Sequence, residues 1–398
     1  MLSILPCEEL CSSLYYMRRE DIPMPGGKFL MNIRPSTGFS SSSPSFGQGT
    51  VVVLMSGGVD SSVTAWLLQK AGWHVVGVTM KIPGADASPG SCCGRDAASV
   101  ALGLGIPHYT AFIEREFGQL VIEPFVESYL RGSTPNPCAD CNALLKFGLL
   151  WDELEDAFGE TRLATGHYAR VEQEGERFFL SRGKDPSKDQ SYFLYGVARR
   201  RLPRLLLPLG GYSKEDVRAL AREAALPVAE KSESMEICFA GEGDYRRLLD
   251  GRSLPPGLIV DEDGEPLGAH SGIANYTVGQ RKGLGIASRD GLHVLRIDPG
   301  RNAVIVGPRE RAFRRRVRAS NVNILFPEPP AEGALLFGKT RSRGEPLPCD
   351  LLRMDGNVLE VLFHEPQFAP TPGQRLVLYD AGGRVTAGGV IEYSEEAE

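Results

Sequence analysis

The sequence lacks any long apolar segment, because no run reaches the roughly eighteen consecutive apolar residues that a membrane-spanning helix needs. Its first residues, MLSILPCEELCSSLYY, also lack the basic start and continuous apolar core of a secretory signal peptide. We therefore expect a cytoplasmic protein. The 42% hydrophobic and 24% charged residues are otherwise typical of a globular chain, and 398 residues predict two or three domains.

Cysteine is also scarce, because eight cysteines in 398 residues are too few for a disulfide scaffold. They are unevenly placed: Cys92 and Cys93 are adjacent, Cys138 and Cys141 form a C-x-x-C, and Cys238 lies far downstream. In a reducing compartment this pattern indicates metal or redox chemistry. Cys349 is instead expected to be a small buried hydrophobic residue.

There is no excess of positive charge, since the formal net charge is −6, and taken alone this argues against nucleic-acid binding. The local distribution differs, because residues 309–318 (RERAFRRRVR) hold six arginines and one acid, and Lys339, Arg341 and Arg343 follow. Two interpretations remain open, a nucleic-acid-binding surface or a solvated strand and loop face.

The chain divides into regions of different pattern. Residues 1–48 end in PSTGFSSSSPSFGQG and show no periodicity, so we expect a disordered extension or a misassigned start, with folded structure beginning at Val51. Alternating strands and helices over 49–240 predict an α/β domain with a doubly wound, mostly parallel sheet. Short strands and turns then predict two small β-rich domains, at 241–308 and 309–398.

The segment SGGVDSS, residues 56–62, follows the buried strand VVVLM and precedes a predicted helix. Backbone N–H groups and the helix dipole form an anion site at such a position. Gly57 and Gly58 allow close approach of the backbone to phosphates, and Ser56, Ser61 and Ser62 add hydroxyl donors. Asp60 would hold Mg²⁺ or cap the helix. The pattern is neither a Walker loop nor G-x-G-x-x-G.

Two cysteines stand out for sulfur chemistry. Cys141, in TPNPCADCN, lies just ahead of the predicted helix ALLKFGLLWDELEDAFG, and a thiol near a helix N-terminus is expected to have a lowered pKa. Cys238 lies in EKSESMEICFAGEGDY, a glycine-flanked segment that we expect to move. Only the fold would bring these two residues together.

The phosphate segment resembles the PP-loop ATP pyrophosphatases, which cleave ATP between its α and β phosphates and attach AMP to a substrate oxygen. Six motifs occur in the order found in tRNA-specific 2-thiouridylases: SGGVDSS, TPNPxxxCN, ATGHYAR, KDQSYFL, ICFxGEGDYRRLL and TVGQRKGLGI. They span residues 56 to 286, and the β-rich tail is similar more loosely. The chain is thus similar to an ATP-dependent tRNA-uridine 2-sulfurtransferase whose last domain is a β-barrel that contacts tRNA.

The resemblance implies a site for ATP and Mg²⁺ and a sulfur route. Cys238 would accept sulfur as a persulfide from a cysteine desulfurase relay, and Cys141 would attack it or share a transient disulfide with it. The residues implied to line the ATP site are Leu54, Met55, Ser56, Gly57, Gly58, Val59, Asp60, Ser61, Met80 and Gly166.

The implied substrate is the wobble uridine of tRNAs that read Lys, Glu and Gln codons. A base must leave its stack to be modified, and Asn136, Pro137 and Cys138 would border it. Without its ATGHY setting, His167 would be taken as a structural histidine. The other residues implied to contact tRNA are His167, Lys188, Asp189, Gln190, Arg341, Ser342 and Gln374.

The chain departs from the family at Cys138, where the best-known members carry the aspartate of TPNPD. Cys138 would serve as an accessory thiol. Alternatively, Cys138, Cys141 and Cys238 would hold three irons of a [4Fe–4S] cluster, because such spacing suits soft-metal ligation. A closed structural zinc site would need a fourth ligand that is not evident.

Two competing functions explain fewer features. Another PP-loop ligase acting on a small molecule would need neither the paired cysteines nor a basic β-rich tail. A non-catalytic tRNA-binding or sulfur-carrier protein would not need an intact SGGVDSS or both family cysteines.

Overall fold

The computed structural model describes residues 32–36, 49–83, 94–232, 238–239, 245–252, 254–286 and 291–392. Cys92 and Cys93, most of the region 1–48, and the flanks of Cys238 that we expect to move lie outside these ranges.

A six-stranded sheet forms the core of the first domain, and all its strands except the edge strand β1 are parallel. The strand order is β1-β4-β3-β2-β5-β8. The strands are β1 (Asn32–Pro35), β2 (Thr50–Leu54), β3 (His74–Lys81), β4 (His108–Phe112), β5 (Arg162–Ala164) and β8 (Leu205–Leu206). The predicted doubly wound, mostly parallel α/β fold is confirmed.

Helices cover both faces of this sheet. They are α1 (Val59–Lys70), α2 (Arg95–Leu104), α3 (Glu114–Phe117), α4 (Glu123–Leu130), α5 (Pro137–Asp140), α6 (Leu150–Phe158) and α7 (Lys214–Glu223). Wider π-helical segments, Gly118–Ile122 and Cys141–Leu149, join α3 to α4 and α5 to α6. Short 3₁₀ turns lie at Ser191–Leu194, Arg199–Arg204, Pro208–Gly211, Tyr245–Leu249, Ile273–Asn275 and Arg309–Ala312.

Strand β2 explains why the run VVVLM lacks polar residues. Val51 and Val53 pack into the core beside α1, α2 and α7, whereas Val52 and Leu54 pack into the core on the opposite face. All five β2 residues are buried, as expected for a central parallel strand.

The expectation that folded structure begins only at Val51 is wrong. Asn32–Pro35 pairs antiparallel with β4 and closes that edge of the sheet. Ser36 continues the contact, because its backbone N–H donates to the carbonyl of His108 and its hydroxyl lies 2.8 Å from His108 Nδ1. The short strand lacked a signal because an edge strand of four residues shows little periodicity.

Two β-rich units follow the first domain, as predicted. The central sheet has the order β10-β9-β12-β11, and the last six strands form a closed barrel in the order β13-β16-β15-β14-β17-β18. The first domain also contains a hairpin of β6 (Ala169–Glu174) and β7 (Arg177–Arg182). The central strands are β9 (Gly257–Val260), β10 (Pro266–His270), β11 (His293–Asp298) and β12 (Ala303–Gly307). The barrel strands are β13 (Phe313–Ile324), β14 (Leu335–Lys339), β15 (Leu347–Met354), β16 (Val358–Phe368), β17 (Arg375–Tyr379) and β18 (Val385–Ile391).

None of the helices within the described ranges combines the length and apolar character required to cross a membrane.

Candidate active site

The phosphate loop lies between β2 and α1, where the sequence places it. Gly57 has φ +72°, and a Cβ there would lie 3.0 Å from Asp96 Cβ and 3.1 Å from the Ala97 nitrogen. Only glycine therefore fits this turn without displacing α2. Ser62 is fully buried and donates its hydroxyl to the Gly58 carbonyl at 2.8 Å, so it stabilises the loop, whereas Ser56 is exposed.

Two lysines that the sequence analysis missed lie against this loop. Lys214, the first residue of α7, places its ammonium 2.7 and 2.9 Å from the two carboxylate oxygens of Asp60. Lys231 donates to Asp96 at 2.6 Å and to the Gly57 carbonyl at 3.2 Å. Neither lysine belongs to a phosphate motif, and both are more than 150 residues from the loop in sequence, at separations of 154 and 174. The loop therefore carries cationic neighbours suited to phosphate oxygens.

Asp60 does not cap α1, which corrects one of its two expected roles. The N-cap is Gly58, which has no side chain to donate or accept. The Asp60 carboxylate instead faces Lys214 and accepts a hydrogen bond from the Tyr168 hydroxyl at 2.8 Å. It remains the carboxylate at this loop that suits Mg²⁺.

The turn Thr165–His167 connects the phosphate loop to the cysteine-bearing helix. A Cβ on Gly166 would lie 2.9 Å from the Asp60 carbonyl carbon and 3.0 Å from the Ser61 nitrogen, so this turn packs directly on the start of α1. The ring of His167 lies 6.0 Å from that of Phe147 in the π-helical segment. The two predicted sites therefore adjoin through one turn.

Residues 134–141, which we call the cysteine loop, present two thiols in different surroundings. Asn136 accepts a hydrogen bond from the Ala139 N–H at 3.1 Å and caps α5. Cys138 is exposed, whereas Cys141 is buried at the start of the π-helical segment. Such widened turns are frequent at functional sites because they redirect side chains on a helix.

The expected lowering of the Cys141 pKa is wrong. The helix begins at Pro137 rather than after Cys141, so Cys141 does not occupy the N-terminal position. Burial raises the pKa of the Cys141 thiol, the positive charge of Lys146 acts in the opposite direction, and Cys138 and Asp140 raise it further. Desolvation likewise raises the pKa of Cys138, and Lys146 lowers it.

Lys146 therefore supplies positive charge beside both thiols, although it was not among the site residues predicted from the sequence. Its ammonium donates to Asn142 Oδ1 at 3.0 Å, and the Asn142 amide donates to the Phe193 carbonyl at 3.1 Å. Burial, assisted by Lys146, lowers the pKa of His167 to about 3, so this histidine is neutral. Its Nδ1 lies 2.7 Å from the Thr165 hydroxyl.

Cys238 is exposed, and its neighbour Phe239 is buried. The Phe239 ring packs edge-on against Phe117 and Phe125, with centroids 5.4 and 5.5 Å away. Phe117 and Cys141 belong to the same hydrophobic cluster. The structure thus attaches the Cys238 segment to the helices beside the cysteine loop.

The barrel docks on the cysteine loop through residues 372–375, which we call the barrel clamp. The Thr134 N–H donates to the Pro372 carbonyl at 2.8 Å, and the Gln374 amide donates to the carbonyls of Thr134 and Pro135 at 3.0 and 3.1 Å. Arg375 donates to the Asp140 carboxylate at 2.5 Å. Asp140 and Arg375 were not among the site residues predicted from the sequence.

The residues of the barrel that are predicted to contact tRNA lie together. Arg341 and Gln374 line one recess together with Thr134 of the cysteine loop, Gly279 of the central unit and Phe368 of the barrel. Arg341 is exposed there, and Ser342 follows it at the surface.

The stretch Lys188–Gln190 makes its hydrogen bonds mainly with other residues of the protein. The buried Asp189 carboxylate accepts hydrogen bonds from the backbones of Gly183 and Ser191, and Gln190 accepts one from the Tyr168 N–H at 2.9 Å. Its contact with tRNA stays a prediction.

Three of the six arginines in the arginine-rich stretch form ion pairs within the protein. Arg311 pairs with Glu262, Arg316 with Glu360 and Arg318 with Glu392, at 2.9, 2.7 and 3.2 Å. Arg315 donates to the Phe363 carbonyl at 3.0 Å. Of the two interpretations left open, these contacts favour a solvated strand face whose arginines are partly ion-paired.

The three cysteines proposed as iron ligands are not gathered into a metal site. Within the residues that the structure covers, no three His, Cys, Asp or Glu side chains are arranged to hold a metal ion.

Comparison with known proteins covers almost all of the described chain. Three family profiles match in order: the tRNA methyl transferase HUP domain at 49–242, the tRNA methyl transferase PRC-barrel domain at 249–308, and the aminomethyltransferase beta-barrel domain at 314–391. A protein named tRNA-specific 2-thiouridylase MnmA from Geotalea uraniireducens is 46% identical over 360 residues, covering 86% of this chain and 95% of that protein.

Two further relatives carry the same name. The Geobacter metallireducens protein is 45% identical over 359 residues, covering 86% of this chain and 96% of its own. The Chloroflexus aggregans protein is 44% identical over 357 residues, covering 87% and 99% respectively.

Proposed function

The chain belongs to the tRNA-specific 2-thiouridylase family, and on that premise we propose that it activates a tRNA uridine with ATP and replaces its C2 oxygen by sulfur. One observation supports this most directly. The Thr165–His167 turn packs on the phosphate loop at Gly166 and beside the π-helical segment of Cys141 at His167. A base held at that turn would lie between an adenylating site and a thiol.

The first step is transfer of AMP to the uridine. The C2 oxygen attacks the α-phosphorus of ATP, the bond to the β-phosphate breaks, and pyrophosphate leaves. The loop amides, Ser56, Lys214 and Lys231 would stabilise the charge that develops on the phosphates. Mg²⁺, when bound at Asp60, would neutralise phosphate charge in the same way. The adenylate converts a poor leaving group into a good one.

The second step delivers sulfur, and we assign it to Cys238 and Cys141. Cys238, loaded as a persulfide by a cysteine desulfurase relay, holds the sulfane sulfur. The Cys141 thiolate attacks the Cys238 sulfur, a Cys141–Cys238 disulfide forms, and hydrosulfide leaves with the electron pair of the broken S–S bond. Hydrosulfide attacks C2 and AMP leaves. A thiol reductant then restores both cysteines.

Substrate recognition would use the recess where the three units meet. Asn136, Pro137 and Cys138 would border the extruded base, and Arg341 and Gln374 would contact the adjoining backbone. We expect the wobble uridines of tRNAs for Lys, Glu and Gln as substrates. The enzyme would act in the cytoplasm, where unmodified tRNA is present.

The function is tested by incubating the full chain with ATP, Mg²⁺, a persulfide donor, a thiol reductant and unmodified tRNA. The proposal predicts 2-thiouridine and an equal amount of pyrophosphate. Pyrophosphate formed without tRNA would indicate a small-molecule ligase, and no turnover would indicate a binding or carrier protein. Either result would replace the proposal.

Replacing Cys138 with serine separates the persulfide route from the iron–sulfur route. Cys138 is exposed and lies outside the proposed Cys141–Cys238 exchange, so Cys138→Ser should lower thiolation less than about tenfold. A cluster would lose a ligand and its activity. The rate is compared in iron-free protein supplied with persulfide, where the proposal predicts activity and a cluster mechanism predicts none.

Replacing Arg341 with alanine should weaken tRNA binding and flatten its salt dependence. An arginine that contacts one phosphate of single-stranded RNA releases a counterion, so the slope of log K against log salt should fall by about 0.7. Arg353→Ala is the matched control, because Arg353 is an exposed barrel arginine paired with Asp355 at 2.8 Å. An unchanged slope for Arg341→Ala would show that Arg341 does not bind phosphate.

A further inference from the structure

A charged residue stands between the two thiols of the cysteine loop. Cys138 and Cys141 lie about one helical turn apart, and Asp140 lies between them in the sequence. The Asp140 side chain is buried, with the residue only 9% exposed. Burial raises the pKa of its carboxyl group. A carboxylate in such surroundings persists only with a partner that compensates for lost hydration.

That partner comes from the barrel, 235 residues further along the chain. Arg375 is the first residue of β17 and is 2% exposed. Its own backbone is fixed by Tyr192, whose hydroxyl donates to the Arg375 carbonyl at 3.0 Å and accepts from its N–H at 3.1 Å. The guanidinium also donates to the Gly373 carbonyl, so the side chain has little freedom to move away from Asp140.

The rest of the barrel clamp packs tightly between the barrel and the α/β domain. Gly373 has φ +89°, and a Cβ there would lie 2.8 Å from the Thr134 carbonyl oxygen. Together with the Gln374 contacts, this close approach fixes the start of the cysteine loop at Thr134, while Arg375 fixes its end at Asp140. Lys146, by contrast, acts on the thiols from the α/β domain itself.

We infer that Arg375 is a positioning residue for sulfur transfer: by holding Asp140 from the barrel, it fixes the helical turn that carries Cys141 and couples barrel docking to placement of this thiol. The inference rests on the proposed function, because Cys141 is taken as the attacking thiol. Without the guanidinium, the Asp140 side chain would turn toward water and displace the turn.

Arg375→Gln in the full chain tests the inference, with the alkylation rate of each cysteine followed by peptide mass spectrometry. Iodoacetamide should modify the sheltered Cys141 about tenfold faster than in the parent. Two internal controls are Cys138, which is exposed in the parent and should change little, and Cys349, which is fully buried in the barrel and should stay protected. The thiolation kcat should fall about 100-fold with KM for tRNA within about twofold, because a small displacement of a reacting group affects chemistry more than binding.

Two further variants keep the test decisive. Arg375→Lys retains the charge and should restore most of the Cys141 protection, and Asp140→Asn combined with Arg375→Gln should restore part of it by removing the uncompensated carboxylate. An unchanged Cys141 alkylation rate in Arg375→Gln would overturn the inference. So would a parallel rise at Cys349, which would show that Arg375 merely keeps the barrel folded. Alkylation requires no turnover, so failure of the proposed function itself would appear separately, as absence of 2-thiouridine with the parent enzyme.

Discussion

Replacing Cys141 with serine should lower the rate of 2-thiouridine formation by about 10³-fold or more, because the hydroxyl cannot attack the Cys238 sulfur of the persulfide at neutral pH. The phosphate loop is untouched by this change, so tRNA-dependent pyrophosphate release should persist for at least one turnover. The persulfide on Cys238 should also accumulate, since the thiol that releases hydrosulfide from it is gone. Mass spectrometry of the Cys238 peptide would show the added sulfur atom.

Cys349→Ala is the matched control for the loss of one thiol. Cys349 is fully buried in the barrel, among Val361, Phe363 and their neighbours, and has no place in the proposed chemistry. Its replacement should cost some barrel stability and leave the thiolation rate close to that of the parent. If Cys141→Ser retained thiolation within tenfold of the parent, sulfur would not pass through Cys141.

Replacing Gly57 with alanine should reduce ATP-dependent pyrophosphate release by about 100-fold, because the phosphate loop would lose its geometry. Alanine at φ +72° is strained, and its Cβ would contact Asp96 and the Ala97 backbone at 3.0 and 3.1 Å. The loop would move away from α2, and the Lys231 contacts with Gly57 and Asp96 would move with it. Initial rates measured across ATP concentrations would show both a raised KM and a lowered kcat.

Gly103→Ala is the matched control for this prediction. Gly103 lies inside α2, and a Cβ there would meet no heavy atom within 4 Å. Alanine is the better helix former, so the free energy of unfolding should rise by about 0.5–1 kcal/mol with activity unchanged. Equal activity of Gly57→Ala and Gly103→Ala would show that the loop is a structural turn rather than a phosphate site.

The sequence predicted those parts of the molecule that depend on local pattern. The order of strands and helices, the two β-rich units and the phosphate turn all follow from hydrophobic runs and glycine placement within short windows. The strand at Asn32–Pro35 was missed because it forms at the edge of the sheet by pairing with β4, which lies far along the chain.

The pKa shifts and ion pairs of the site could not be predicted, because they arise from contacts between residues that are distant in the sequence. Cys141 looked like a thiol at a helix start, but the helix begins four residues earlier and packing buries the thiol. Lys214, Lys231 and Arg375 reach the site from distant parts of the chain. For Asp140, the sequence showed only the charge of the residue. Its burial inside a helical turn is decided by the fold.

A single-turnover experiment tests the central claim most directly. The full chain is loaded with ³⁵S persulfide, separated from excess donor, and mixed with unmodified tRNA with or without ATP and Mg²⁺. The account predicts that the label moves from Cys238 to 2-thiouridine only when ATP is present, with one pyrophosphate released per sulfur transferred. Label that stays on the protein, or reaches tRNA without ATP, would contradict it.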